Sequence, residues 1–92
     1  MIQGFKDPKT ERFFEGEDVP AFRSFRDQAV RRLTVLDNAA SLQDLAGLRG
    51  NRLESLSGDR AGQYSVRVNR QWRICFRWAD DGPYDVEVVD YH

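Results

Sequence analysis

The chain has 92 residues, enough for one modest hydrophobic core and too few for two, so a single domain over residues 1–92 is expected. Its 40% hydrophobic and 32% charged residues suit a soluble globular protein; MIQGFKDPKT lacks the apolar region of a signal peptide and no long apolar run follows, which makes the cytoplasm the expected location and a membrane an unexpected partner. A formal net charge of −1 excludes non-specific coating of nucleic acid through an overall field, and a single cysteine excludes an internal disulfide.

Residues Met1 to Lys6 alternate weakly around Ile2 and Phe5 and predict a first strand. Asp7 is placed to cap a short helix that starts at Pro8, runs to about Glu15 with Phe13 and Phe14, and ends at Gly16. The main helix is predicted over Pro20 to Asn38. Its apolar face is Phe22, Phe25, Ala29, Leu33, Leu36 and Ala40; its opposite face carries Arg23, Asp27, Arg31 and Asp37. Ser41 then caps a helical turn, SLQDLAGL, with Asp44 at the capping-box position and Leu42, Leu45 and Leu48 directed at the core. The strand RLESLS follows, with broken parity between Leu53 and Leu56 that predicts a bulge or an irregular end, and GDRAG turns the chain onward.

Three segments then alternate at the period of a half-buried strand: Tyr64, Val66, Val68; Trp72, Ile74, Phe76, Trp78; and Tyr84, Val86, Val88. Parity fixes their register, because a one-residue slip would turn the apolar set outward. The connection Asn69-Arg70-Gln71 sets Val66 opposite Ile74, with a left-handed residue expected in the turn. The turn Ala79 to Pro83 sets Trp78 opposite Tyr84 and Ile74 opposite Val88. The fold class is α+β, with an N-terminal strand and two or three helices packed on a mainly antiparallel sheet of four to five strands.

The other sheet face puts Arg67 opposite Arg73, with Arg77, Val89 and Tyr91 on the same side. Like charges facing each other across a sheet repel unless water, an anion or a carboxylate intervenes. Two readings of this face stand. One is a phosphate site; the other is a solvated face whose arginines pair with Glu54, Asp85 or Glu87.

One histidine and one cysteine leave no zinc constellation, and neither a calcium loop nor a nucleotide-binding glycine pattern occurs, so no cofactor is expected. Cys75 reads as a small, partly covered side chain rather than a nucleophile. What remains is metal-free acid–base chemistry supported by arginine. RNA cleavage by its own 2′-hydroxyl needs that hydroxyl deprotonated, the leaving 5′-oxygen protonated and the charge on phosphorus stabilised. Arg73, on a central strand, suits the last role. His92 suits proton transfer, because imidazole titrates near neutral pH. Tyr91 suits proton donation or base stacking, and Asp90 suits orientation of His92 or proton uptake. Each also has a structural alternative: His92 as a frayed end, Tyr91 as a cover for the core's edge, Asp90 as a partner of an arginine. Trp72 and Trp78 read as core residues rather than stacking platforms.

The run NRLESLSGDRAGQYSVRVNRQWRICF with the later VEVVDYH, together with the MIQGF opening and LDNAASLQDL, resembles the HigB branch of the RelE toxin superfamily over essentially the whole chain. The resemblance implies a microbial-RNase-like fold and an endoribonuclease that cuts mRNA in the ribosomal A site. It implies a cognate helix-turn-helix antitoxin of the HigA type, with DNA contacted only through that antitoxin. By matching positions, Arg73 becomes the phosphate contact, and Asp90, Tyr91 and His92 the terminal catalytic group. Arg60 in GDRAG becomes an RNA-binding or structural arginine and Arg67 a secondary RNA contact, with Arg70 adding charge at its turn. Two departures matter: Ser57 stands where family members often carry lysine, and Glu54 where some carry histidine. Glu54 then shares the acid–base work, or the toxin is slow. A non-catalytic protein that only binds antitoxin in a repressor complex is the alternative.

Overall fold

The computed structural model describes residues 1–90, apart from the side chain of residue 49. Helix α1 spans Pro8–Phe14; Asp7 Oδ1 accepts from Thr10 N at 2.7 Å, so the predicted cap forms. The long predicted helix divides into a 3₁₀ segment, Pro20–Phe25, and α2, Arg26–Asn38. The tighter segment buries both Phe22 and Phe25, three positions apart, a spacing that eclipses on a 3₁₀ turn. Helix α2 buries Ala29, Leu33 and Leu36, and the next core residue is Ala39 rather than Ala40, because the helix has ended and the chain is extended there. Asp37, expected on the solvent face, accepts from Ile2 N at 2.8 Å and ties the N-terminal segment to α2.

Helix α3, Leu42–Ala46, is capped by Ser41 Oγ, which accepts from Asp44 N at 3.2 Å. Asp44 reaches back to Ala40 N at 2.9 Å, one residue before the amide that a capping box would engage. Leu45 is buried, but Leu48 lies beyond the last helical turn and is 49% exposed, against expectation.

Strands β1 (Glu54–Ser55), β2 (Tyr64–Arg67), β3 (Trp72–Ala79) and β4 (Gly82–Asp90) form an antiparallel sheet in that order. The expected strand RLESLS shortens to the two residues of β1, paired without a bulge, because the broken parity of Leu53 and Leu56 supports no longer ladder. The N-terminal segment adds one parallel bridge, Phe5 to Val86, on the free edge of β4. Just beyond it Val88 N donates to Thr10 Oγ1 at 3.1 Å, so α1 covers the remaining edge.

The first hairpin keeps its expected register, Val66↔Ile74 and Arg67↔Arg73. None of its turn residues is left-handed, however: Asn69 Oδ1 accepts from both Gln71 N and Trp72 N at 2.8 Å, and this side-chain turn replaces the backbone one. The second hairpin differs. Ile74 faces Val88, but Trp78 faces Pro83 and Arg77 faces Tyr84, with a bulge between. The extra residue is on β4, where Asp85 has φ 52°, and the connection shortens to Asp80-Asp81 before Gly82 at φ 131°. A Cβ on Gly82 would come within 2.5 Å of the Met1 carbonyl oxygen, so hairpin and N-terminal segment both require glycine there.

The helices cover the even-numbered face of β3. Phe22, Leu33 and Leu36 meet Ile74, Phe76 and Val86 in the core. Trp72 and Trp78 pack against that cluster, Trp72 with its ring 4.8 Å from Phe25, as the core reading of both tryptophans expects.

Candidate functional site

The odd-numbered face of the sheet is covered by the chain between α3 and β2 rather than by helices. It is far from a simple solvated surface: Ser65 and Cys75 are fully buried, and Arg73 and Glu87 nearly so. Two clusters occupy it.

The first surrounds Arg73. Its Nε donates to Ser65 Oγ at 2.7 Å; its Nη2 donates to the Arg52 carbonyl oxygen at 2.7 Å and more weakly to the Ser65 carbonyl at 3.4 Å. Glu54, exposed on β1, places Oε2 3.9 Å from the same Nη2. The repulsion expected between facing arginines is thus relieved unequally. Arg73 sinks into acceptors, and Arg67 turns its Nε to the Asn69 carbonyl at 3.0 Å.

The second cluster closes over Cys75. Arg60, in the 3₁₀ turn Gly58–Arg60, donates to Gln63 Oε1 at 3.0 Å and to Glu87 Oε1 at 3.3 Å, and Lys6 Nζ lies 3.5 Å from Glu87 Oε2. Gly62, at φ 90°, lets this loop approach: a Cβ there would be 2.8 Å from Arg77 Nη1. Cys75 is buried completely, not partly as its sequence position suggests, with Arg60, Glu87, Arg73 and Lys6 the charged groups around it. Burial pushes its thiol up from the ordinary range, outweighing the nearby Arg60 cation. The thiol is therefore neutral at physiological pH. Its contribution to stability is intact below the ordinary thiol value and declines as pH climbs through the raised one. Native protein should react with an aromatic disulfide reagent about a hundredfold more slowly than protein unfolded in urea, since reaction requires opening of a central strand. Equal rates would show that this loop does not seal the thiol.

The expected site residues do not all come together. Arg73, Glu54 and Arg67 share one face, with Arg73 at the centre. Arg60 is on the same face but engaged with Glu87, and Arg70 is exposed at the hairpin tip. Asp90 lies at the end of β4 opposite Trp72; alternation places it on the face of Trp72, not of Arg73, and Gln71 Nε2 donates to its Oδ2 at 2.9 Å. Tyr91 and His92 lie outside the described residues. Of the three carboxylates expected to pair with this face's arginines, Glu54 meets Arg73 and Asp85 meets Arg77 at 3.8 Å, whereas Glu87 pairs with Arg60 of the preceding turn rather than with an arginine of the sheet. Among the described residues no three His, Cys, Asp or Glu side chains come together so as to hold a metal ion.

Sequence reasoning missed Ser65 and Arg52. Ser65 sits diagonally across from Arg73, one pleat beyond Arg67, a distance that an arginine side chain spans. Parity alone was enough to find it. Arg52 contributes a backbone carbonyl, which no residue identity encodes.

Known proteins match this chain along its length. The family model for the RelE-like toxin HigB of type II toxin–antitoxin systems matches residues 3–92. Toxin HigB-1 of Vibrio cholerae serotype O1 is 39% identical over 84 residues, covering 87% of this chain and 86% of its own. Endoribonuclease HigB of Proteus vulgaris is 33% identical over 95 residues, covering 100% of both. Among solved structures, the YoeB–YefM complex from Staphylococcus aureus superposes with a TM-score of 0.62 at 17% identity, over 100% of this chain and 98% of that one. The YoeB dimer from the same organism gives 0.58 at 22% identity, over 99% and 94%. These structural likenesses establish a RelE-like fold, with helices on a four-stranded antiparallel sheet. The family match and the two sequence relatives go further: the chain belongs to the RelE-like HigB toxins of type II toxin–antitoxin systems.

Proposed function

We propose that this toxin is a ribosome-dependent endoribonuclease that cuts mRNA in the A site by acid–base chemistry in the cytoplasm and is neutralised by a helix-turn-helix antitoxin of the HigA type. The observation that carries the reading is the seat of Arg73, a nearly buried guanidinium held by three oxygen acceptors beside the exposed carboxylate of Glu54. The relative from Proteus vulgaris, named an endoribonuclease, supports the reaction, and the YoeB–YefM complexes support an antitoxin partner.

The chemistry follows from the charges. The 2′-oxygen attacks the adjacent phosphorus while Glu54 takes its proton, the bond to the 5′-oxygen breaks, and His92 protonates that oxygen. The products are a 2′,3′-cyclic phosphate and a 5′-hydroxyl. Arg73 meets the extra negative charge that develops on phosphorus, in a site where partial burial strengthens the contact. Asp90, on the face of Trp72, orients His92, and Tyr91 orients the RNA; Arg67 and Arg70 add phosphate contacts. Ser57 and Glu54 lower the positive charge of the site, so docking on the ribosome, rather than affinity for free RNA, supplies the substrate.

The test maps mRNA 5′ ends on translating ribosomes and on naked RNA. Wild-type protein should cut only on ribosomes, and deletion of His92 should slow the cut by about a hundredfold or more. Intact ribosome-bound mRNA with wild-type protein would leave antitoxin binding, without catalysis, as the function of this chain.

A further inference from the structure

An arginine that stabilises a transition state must be aimed before substrate arrives, and Arg73 has a seat that aims it. Its Nε and Nη2 are occupied by Ser65 Oγ, Ser65 O and Arg52 O. Among the described residues nothing accepts from Nη1, and no buried side-chain nitrogen or oxygen lacks a partner, so Nη1 is not sealed from solvent. The side chain is only 11% exposed, and its Nη1 edge is the part of the guanidinium to which the described residues give no acceptor.

The Arg52 carbonyl is itself set from a distance. Arg52 is held at φ 44°, a left-handed conformation that a non-glycine residue adopts at a cost. Its neighbour Asn51 is buried, accepts from Arg32 Nη1 at 3.0 Å and donates to the Leu45 carbonyl at 3.1 Å, which clamps this loop to α2 and α3. A Cβ on Gly50 would come within 2.6 Å of Arg32 Nη2, so the loop lies directly against that arginine.

We infer that Ser65, together with the Arg52 carbonyl clamped by Asn51, positions the Arg73 guanidinium so that its Nη1 edge meets the scissile phosphate. Ser65 is a positioning residue: fully buried, it acts through Arg73 and does not touch RNA. The inference rests on the charge-stabilising role proposed for Arg73.

The experiment is single-turnover cleavage on programmed ribosomes with Ser65→Ala and Ser65→Thr, alongside nitrogen-15 spectra of the arginine Nε–H groups in free protein. Ser65→Ala should slow the cleavage step about tenfold to a hundredfold, the cost of a guanidinium misplaced by a fraction of its own width, and leave the half-saturating toxin concentration within about twofold. The Arg73 Nε–H should be protected from exchange in wild-type protein by its bond to Ser65 Oγ and should exchange rapidly in Ser65→Ala. Ser65→Thr, which keeps the oxygen, should recover most of the rate and the protection. Full cleavage rate in Ser65→Ala overturns the inference, as does equal slowing of both variants with the Nε–H still protected. A fully active Arg73→Ala would instead overturn the role of Arg73 itself, and this inference with it.

Discussion

Arg73→Ala should lower ribosome-dependent cleavage by about a hundredfold to a thousandfold, the magnitude typical of removing one preorganised donor from a developing oxyanion. The loss should fall on the cleavage step, because Arg67 and Arg70 remain for binding phosphate. Arg73→Lys should recover little of it. A single ammonium cannot bond to Ser65 and the Arg52 carbonyl while also facing outward; the planar guanidinium does so because its nitrogens point in fixed and different directions. The change to alanine should also cost some stability, since it leaves the oxygens of the buried Ser65 without the guanidinium's donors. Urea denaturation and 5′-end mapping on the same preparation separate the two effects. A folded Arg73→Ala that cuts within about threefold of wild type would make this arginine a structural one.

The second large effect lies on the other face of the sheet. Phe22→Ala should destabilise the protein by about 3–5 kcal/mol, a large part of the roughly 5–15 kcal/mol that holds a domain folded. Phe22 is fully buried where three parts of the chain meet: its ring lies 5.1 Å from Phe13 of α1, 5.7 Å from Phe25 and 5.8 Å from Trp72 of β3. Lys9 Nζ sits 5.6 Å from the centre of the ring and adds a cation–π contact at the rim. Because Trp72 precedes Arg73 on β3, loosened packing at Phe22 should also reduce cleavage in the variant that stays folded. Equilibrium urea unfolding with an unchanged slope measures the loss. A value below about 1.5 kcal/mol would mean that the surrounding rings collapse into the space.

How much of this was legible in the sequence depended on which forces acted locally. Strand parity placed Arg67 opposite Arg73 and Ile74 opposite both Val66 and Val88, because a half-buried sheet penalises any slip. Asp7 and Ser41 announced their helices, since a capping oxygen needs only its own next turn. The second hairpin was less legible. Its bulge at Asp85 lies beside Val86, which the N-terminal segment pairs from the other side, a contact some eighty residues away along the chain that local spacing does not encode.

The candidate site divides in the same way. Sequence singled out Arg73 and Glu54, because charge on a strand with an apolar opposite face has to be accounted for, and the two do meet. It did not foresee that Arg73 would be buried, or that Ser65 and a left-handed Arg52 would hold it.

The amino-acid sequence by itself determined the class of fold, the face that becomes core and the arginine at the centre of the other face, since periodicity and charge are properties of residue types. Only the tertiary structure decided where that arginine points. A backbone carbonyl carries no identity in the sequence, and its direction is fixed by Asn51 gripping Arg32 and Leu45, groups brought together by folding.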